Sequence, residues 1–195
     1  MPDILQLTIT LKNSKPLIWR SILLRKETTF FELHHIIQIS MGWKNYHLFE
    51  FNLDGYRVGM IEGNDYGFGN NYVLDATKVD HSDVLSLEND RFDYDYDFGD
   101  RWQHEIVLQE AIEGDHKTVY PTCVGGKLNC PPEDCGGIRG FYDLLNIIQD
   151  KSHPEHDYIR NWVGEKYNPE SFDLNRASKR LKKLQKYITR WNSPD

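Results

Sequence analysis

Between Phe92 and Asp100 the chain reads Phe-Asp-Tyr-Asp-Tyr-Asp-Phe-Gly-Asp, and that alternation leaves the backbone little choice. In an extended strand successive side chains point to opposite faces. Phe92, Tyr94, Tyr96 and Phe98 then share one face, and Asp93, Asp95 and Asp97 the other. A helix would scatter the rings around its axis. The aromatic face needs a core to cover it, whereas aspartates are poor strand formers and mark a face turned to solvent or ligand. Gly99-Asp100 reads as a two-residue type II′ turn, with Trp102 to Gln109 returning as the partner strand. This register sets Asp95 opposite His104 and Asp97 opposite Trp102. A three-residue turn would oppose Asp95 and Glu105, two like charges, so the first register is expected. An Asp95–His104 pair would suit acid–base work or metal binding. The competing explanation is an edge strand whose charges keep it from pairing with other chains.

Period two recurs at Leu5, Leu7, Ile9 and Leu11, and a second strand is read over Leu17 to Leu24. Thr29 with Glu32 three residues on forms a capping box. It opens a helix with the stripe Phe30, Leu33, Ile36, Ile37 and Met41, which Gly42 stops. Leu48–Leu53, Asp54-Gly55 and Tyr56–Gly59 read as a hairpin. Residues 60–78 are the longest irregular stretch, either a lid or a loose loop. A short strand is expected over Thr118–Pro121, before a Cys/Gly/Pro-rich loop at 123–137. Helices are expected near 30–41, 138–149, 154–163 and 174–190, the last a basic amphipathic helix over 174–191. Strands fill the first two-thirds and helices the last third, without βαβ alternation. The expectation is an α+β fold, a mainly antiparallel sheet packed with helices, in a single domain over 1–195.

The formal net charge of −7 hides two ends of opposite sign. Ten acidic residues lie between Glu88 and Asp115, against Arg91 and Arg101 alone; seven basic and no acidic residues lie between Leu174 and Trp191. No apolar run approaches the ~20 residues that span a bilayer. Met1-Pro2-Asp3 lacks the pattern of a signal peptide. A cytoplasmic location with no membrane partner is expected. Three cysteines, an odd number, fit reduced thiols better than a disulfide framework.

Three groups of residues could carry chemistry. The first joins the ladder's Asp95, Asp97, Asp100 and His104 to Glu133 and Asp134, as catalytic candidates or a Mg²⁺/Mn²⁺ site assisting phosphoester hydrolysis. The second is Cys123, Cys130, Cys135, His153 and His156, a Zn²⁺ inventory without the tight C-x2-C knuckle. Buried free thiols are the alternative there. The third is the basic face of Lys179, Arg180, Lys182, Lys183, Lys186 and Arg190, which would meet nucleic-acid phosphates or simply face solvent. No P-loop, nucleophile elbow, dinucleotide fingerprint or zincin motif is present.

Several runs together resemble the plasmid pRiA4b ORF-3-like proteins. They are Pro16-Leu17-Ile18-Trp19-Arg20, Leu33-His34-His35-Ile36-Ile37-Gln38, Met41-Gly42-Trp43 and His47-Leu48-Phe49-Glu50-Phe51. The match continues through Tyr94 to His104, Cys130-Pro131-Pro132-Glu133-Asp134-Cys135-Gly136-Gly137 and His153-Pro154-Glu155-His156. It covers about 16–173. The resemblance implies a link to mobile elements, resolvase-type labels or fused DNA-binding modules, and no particular activity. The leading expectation is a non-enzymatic binding or interaction domain, with a protein or nucleic-acid partner and a tie to mobile-element or DNA transactions. The alternative is a metal-dependent phosphoester hydrolase using the first group.

Overall fold

In the computed structural model, which describes residues 2–53, 55–60, 73–81 and 90–191, the ladder becomes an interior strand of one sheet. In chain order the first elements are β1 (Ile4–Leu11), β2 (Trp19–Arg25), α1 (Phe30–Met41), β3 (Phe49–Leu53) and β4 (Tyr56–Gly59). Then come β5 (Val73–Asp75), β6 (Arg91–Tyr96), β7 (Trp102–Ile112) and β8 (Thr122–Lys127). The helices α2 (Gly137–Gln149), α3 (His156–Val163), α4 (Leu174–Leu181) and α5 (Leu184–Trp191) follow. The eight strands run β5-β4-β3-β6-β7-β1-β2-β8, antiparallel except for β4 with β5. The fold is α+β, as the element order implied. Among the described residues no helix is long and apolar enough to cross a membrane. The lid-or-loop reading at 60–78 falls largely on 61–72, outside the described residues.

Phe92, Tyr94 and Tyr96 are buried together on the inner face of β6, as the alternation required. The aspartates of the outer face are engaged. Lys12 pairs with Asp93 at 2.7 Å, and Asn52 Nδ2 lies 3.5 Å from Asp95. Because β6 sits between β3 and β7, its charges do not guard an edge.

The register differs from the expected one. Tyr94 lies opposite His104, Asp95 opposite Gln103 and Tyr96 opposite Trp102. The reason is a longer turn: Asp97 and Arg101 both adopt positive φ (57° and 53°), and Arg101 N–H donates to the Asp97 carbonyl at 2.6 Å. Asp95 and His104 therefore lie on opposite faces and form no pair. Phe98, placed on the turn, is 54% exposed.

Helix α1 opens with the capping box of Thr29 and Glu32 and closes on Gly42 at φ 98°. One side packs on the sheet, where Phe30 meets Phe51 and Phe92 edge-on. The other is covered by α4 and α5, with Trp191 against Phe31 and His35. A helix covered on both sides buries its polar residues too, so His34, His35 and Gln38 need internal partners. Gln38 Nε2 donates to the Tyr94 hydroxyl at 3.1 Å, and that hydroxyl contacts His34 Nδ1 at 2.7 Å. His34 Nε2 meets Asn45 Oδ1 at 2.6 Å, and Asn45 Nδ2 meets His35 Nδ1 at 3.4 Å. These partners give every proton one direction: Gln38 to Tyr94, Tyr94 to His34, His34 to Asn45, Asn45 to His35. The chain of bonds fixes the loop after α1, where Asn45 takes φ 63°.

Two other expectations are corrected. Strand β8 occupies 122–127, where the glycines suggested loop, and Thr118–Pro121 is not a strand. Its Gly125 and Gly126 are needed because the rings of Trp19 and Phe172 lie where a side chain would stand. The long C-terminal helix is broken at Lys182–Lys183 into α4 and α5. Leu181 and Leu184, one on either side of the break, are both buried.

Candidate metal centre

Three loops meet at one end of the sheet, and strand pairing brings the first two together. Phe49 of β3 lies opposite Tyr96 of β6, and Asp97 N–H extends the ladder to the Leu48 carbonyl at 2.9 Å. His47, two residues before Phe49, thus falls beside Asp97. The Asp97 carboxylate turns inward rather than continuing the outer face, and the residue is only 7% exposed. Its Oδ1 accepts from the Gly99 and Asp100 N–H groups at 3.0 and 3.3 Å, leaving Oδ2 3.5 Å from His47 Nε2.

The third loop, 131–137, brings Asp134, whose Oδ1 lies 2.9 Å from the same His47 nitrogen. Four contacts hold this loop. Trp43 Nε1 donates to the Pro131 carbonyl at 2.9 Å, and Gly136 N–H to Asp100 Oδ2 at 3.0 Å. Glu133 Oε1 accepts from the Tyr96 hydroxyl at 2.7 Å, and Oε2 from Lys44 N–H at 2.8 Å. Gly137, at φ 67°, lies so close to the Asp100 carbonyl oxygen that a Cβ would collide with it. Burial, together with the neighbouring Glu133 carboxylate, raises the Tyr96 pKa above its ordinary value, so its hydroxyl stays a donor.

His47, Asp97 and Asp134 each offer a ligand atom within 4.8 Å of the other two, which no other three His, Cys, Asp or Glu residues do among the described residues. Around Zn²⁺, bonds of about 2.0 Å place neighbouring ligand atoms about 3.3 Å apart in a tetrahedron. The 3.5 and 2.9 Å separations from His47 are close to that edge. An imidazole with two carboxylates suits Zn²⁺ or Mn²⁺ better than Mg²⁺ or Ca²⁺, which prefer all-oxygen shells. Three protein donors also leave a coordination position open.

Of the first candidate group, then, Asp97 and Asp134 converge, while Asp100 and Glu133 brace the loops around them. Asp95 stands on the outer face beside Glu50, Arg57 and Arg101. His104 is fully buried between Trp43 and Tyr94, and among the described residues neither ring nitrogen has a side-chain hydrogen-bond partner. Burial lowers its pKa to about 4. His47 was missed as a site residue. It opens the run His47–Phe51 that carries part of the family resemblance, but only the β3–β6 register reveals its place beside Asp97.

The cysteine and histidine group does not assemble. Cys130 is buried with its Sγ 3.3 Å from Met41 Sδ, and burial lifts its pKa to about 12. Cys123 Sγ contacts the Gly125 carbonyl, and Cys135 is half-buried with its pKa likewise raised to about 12. His153 Nδ1 accepts from Glu155 N–H, and His156 Nδ1 lies 3.1 Å from the Ile147 carbonyl. The basic residues divide at the α4–α5 break. Lys182, Lys183 and Lys186 border a groove with Glu27 and Glu32, whereas Arg180 turns toward Gly42 and, with Arg176, lines a different cleft. Lys179 shares a shallow hollow with Arg176 and Tyr187, and Arg190 lies in the last turn of α5.

That cleft, about 460 Å³, adjoins the His47 cluster. Glu133 and Asp134 form one side of it, with Trp43, Lys44 and Tyr46; α4 forms another.

The family model for plasmid pRiA4b ORF-3-like proteins matches residues 3–176, and the chain belongs to that family. An uncharacterized protein y4hQ of Sinorhizobium fredii (strain NBRC 101917 / NGR234) is 29% identical over 190 residues, 95% of this chain and 91% of that one. The crystal structure of a protein of unknown function, MM3350 from Methanosarcina mazei Go1, is similar with a TM-score of 0.82 and 32% identity. It covers 90% of this chain and 97% of its own.

Proposed function

We propose that this plasmid pRiA4b ORF-3-like protein is a binding domain that takes a divalent transition-metal ion on His47, Asp97 and Asp134 beside its cleft. One observation carries this reading: three donors of the right chemistry lie at ligand spacing, on loops that other contacts already hold in place. Pre-set ligands lose little freedom on binding metal, which favours affinity. Titration of chelator-treated protein with Zn²⁺ and Mn²⁺ is expected to give one site per chain and a rise in Tm. His47→Ala and Asp134→Asn are each expected to weaken it tenfold or more. Protein purified without chelator that holds no metal, and gains no stability from either ion, overturns the proposal.

The open coordination position and the adjoining cleft favour a second reading, metal-dependent hydrolysis of a phosphoester. A metal held by His47, Asp97 and Asp134 would supply the activation of water that such hydrolysis needs. Glu133 is poorly suited to be that water's base, because both carboxylate oxygens already accept protein hydrogen bonds. Hydrolysis of an aryl phosphate that requires Zn²⁺ or Mn²⁺ and disappears in Asp97→Asn would establish this reading; no turnover with the metal-loaded protein would leave binding alone.

A further inference from the structure

Arg20 is 1% exposed, yet none of its described partners is a carboxylate. Its Nε donates to the Ser40 carbonyl at 3.0 Å, and its Nη1 to the Trp19 and Lys127 carbonyls at 2.8 and 3.0 Å. The guanidinium lies 4.0 Å over the Phe172 ring. Nη2 donates to no described protein group. A guanidinium remains charged at any ordinary pH, so this is a permanent positive charge with no paired carboxylate among the described residues. Removing such a charge from water is unfavourable unless an anion accompanies it. The arginine lines the 460 Å³ cleft, where Arg176, Arg180 and Lys44 join it, none paired with a carboxylate among the described residues. The carboxylates of the same cleft are committed elsewhere: Glu133 to Tyr96 and Lys44 N–H, Asp134 to His47, and Asp173 to the Arg176 N–H.

We propose that the cleft binds a small ligand through an oxyanion group, phosphate or carboxylate, seated on Arg20 and flanked by Arg176 and Arg180. A guanidinium with a free donor is suited to either oxyanion, and the cleft falls in the size range of small-molecule sites, about 300–1,000 Å³. The proposal rests on reading the cleft as a binding site and does not require the metal.

The experiment uses the full chain, stripped of metal with chelator and then dialysed free of it. Inorganic phosphate, pyrophosphate and citrate are titrated by calorimetry and by thermal melt, with chloride at equal ionic strength as control. A saturable Tm rise with at least one oxyanion is expected, at least tenfold tighter than chloride. Preference for pyrophosphate assigns a phosphorylated ligand, and preference for citrate a carboxylate. Arg20→Met is expected to abolish binding. Should that chain fail to fold, the double variant Arg176→Ala/Arg180→Ala, at the cleft's rim, is expected to weaken binding about tenfold. Binding no better than chloride, or undiminished in the double variant, overturns the proposal. Zn²⁺ binding without oxyanion binding sinks this inference alone, and the reverse result sinks only the metal reading.

Discussion

Lowering the pH from 7 to 5 perturbs four histidines that the fold keeps neutral. His34, His35, His81 and His104 are all at most 2% exposed. Burial lowers the pKa of His35, His81 and His104 to about 4 and holds His34 well below its ordinary value. In the unfolded chain each returns to a pKa of about 6.5. The unfolded state therefore takes up protons first, and stability falls as pH drops from about 6.5 towards 4. Over pH 7 to 5 each histidine withdraws about 2 kcal/mol, a figure set by the unfolded pKa because pH 5 still lies above the folded values. Together they remove roughly 7 kcal/mol, comparable with the whole stability of a typical domain, about 5–15 kcal/mol. Urea unfolding followed by tryptophan fluorescence across this range is expected to show an uptake of about 3.5 protons near pH 5. His104→Phe should reduce that number by about one. It should also leave stability at pH 7 unchanged or improved, because among the described residues neither ring nitrogen it removes has a side-chain hydrogen-bond partner. An uptake below one proton, or a slope that His104→Phe leaves intact, would refute the reasoning.

Glu133 and Tyr96 offer a double-mutant cycle: Glu133→Ala and Tyr96→Phe, measured singly and together by urea unfolding, should show a coupling of about 1–2 kcal/mol from their charge-assisted bond. Additive effects would mean that this contact does not brace the loop. Gly137→Ala should destabilise the protein by about 2 kcal/mol, combining the left-handed backbone with the collision at the Asp100 carbonyl. It should also weaken Zn²⁺ binding by moving Asp134; a calorimetric affinity equal to wild type would show that the loop tolerates the shift.

Where the sequence was readable, local rules and the global fold agreed. The rings of 92–96 alternate because one face of β6 is core, and Thr29, Glu32 and Gly42 mark the ends of α1 by their own hydrogen bonds and φ. Where it was not, distant residues decided. Nothing in Gly99-Asp100 announces that Asp97 and Arg101 both go left-handed, so the turn length and the whole β6–β7 register shift with them. Gly125 and Gly126 read as loop until Trp19 and Phe172 are seen to occupy their side-chain space. His34 and Gln38 look like the polar side of an amphipathic helix, yet both face the sheet, where the Tyr94 hydroxyl and, for His34, the Phe49 ring meet them; His35 is the one that Trp191 of α5 covers.

The same logic separates the two charged features of the site. A histidine beside two aspartates explains itself without a ligand, since an imidazole can donate to one carboxylate and lie near another at little loss. His47 and Asp134 are partly open to water, where such contacts are worth about 0–1 kcal/mol. What stability does not explain is why Asp97 adopts a left-handed backbone and aims one oxygen away from its N–H partners, or why Glu133 fastens a loop carrying Asp134 to the same place. Arg20 extends the point inward: a buried, unpaired guanidinium lowers stability, and three carbonyls and a ring only partly compensate. The guanidinium, unlike the histidine cluster, is unfavourable for an empty fold and favourable for an occupied one. Arg20→Met should therefore raise Tm in the absence of ligand while abolishing the oxyanion-dependent rise. A variant that loses stability in both conditions would make the arginine a structural strut.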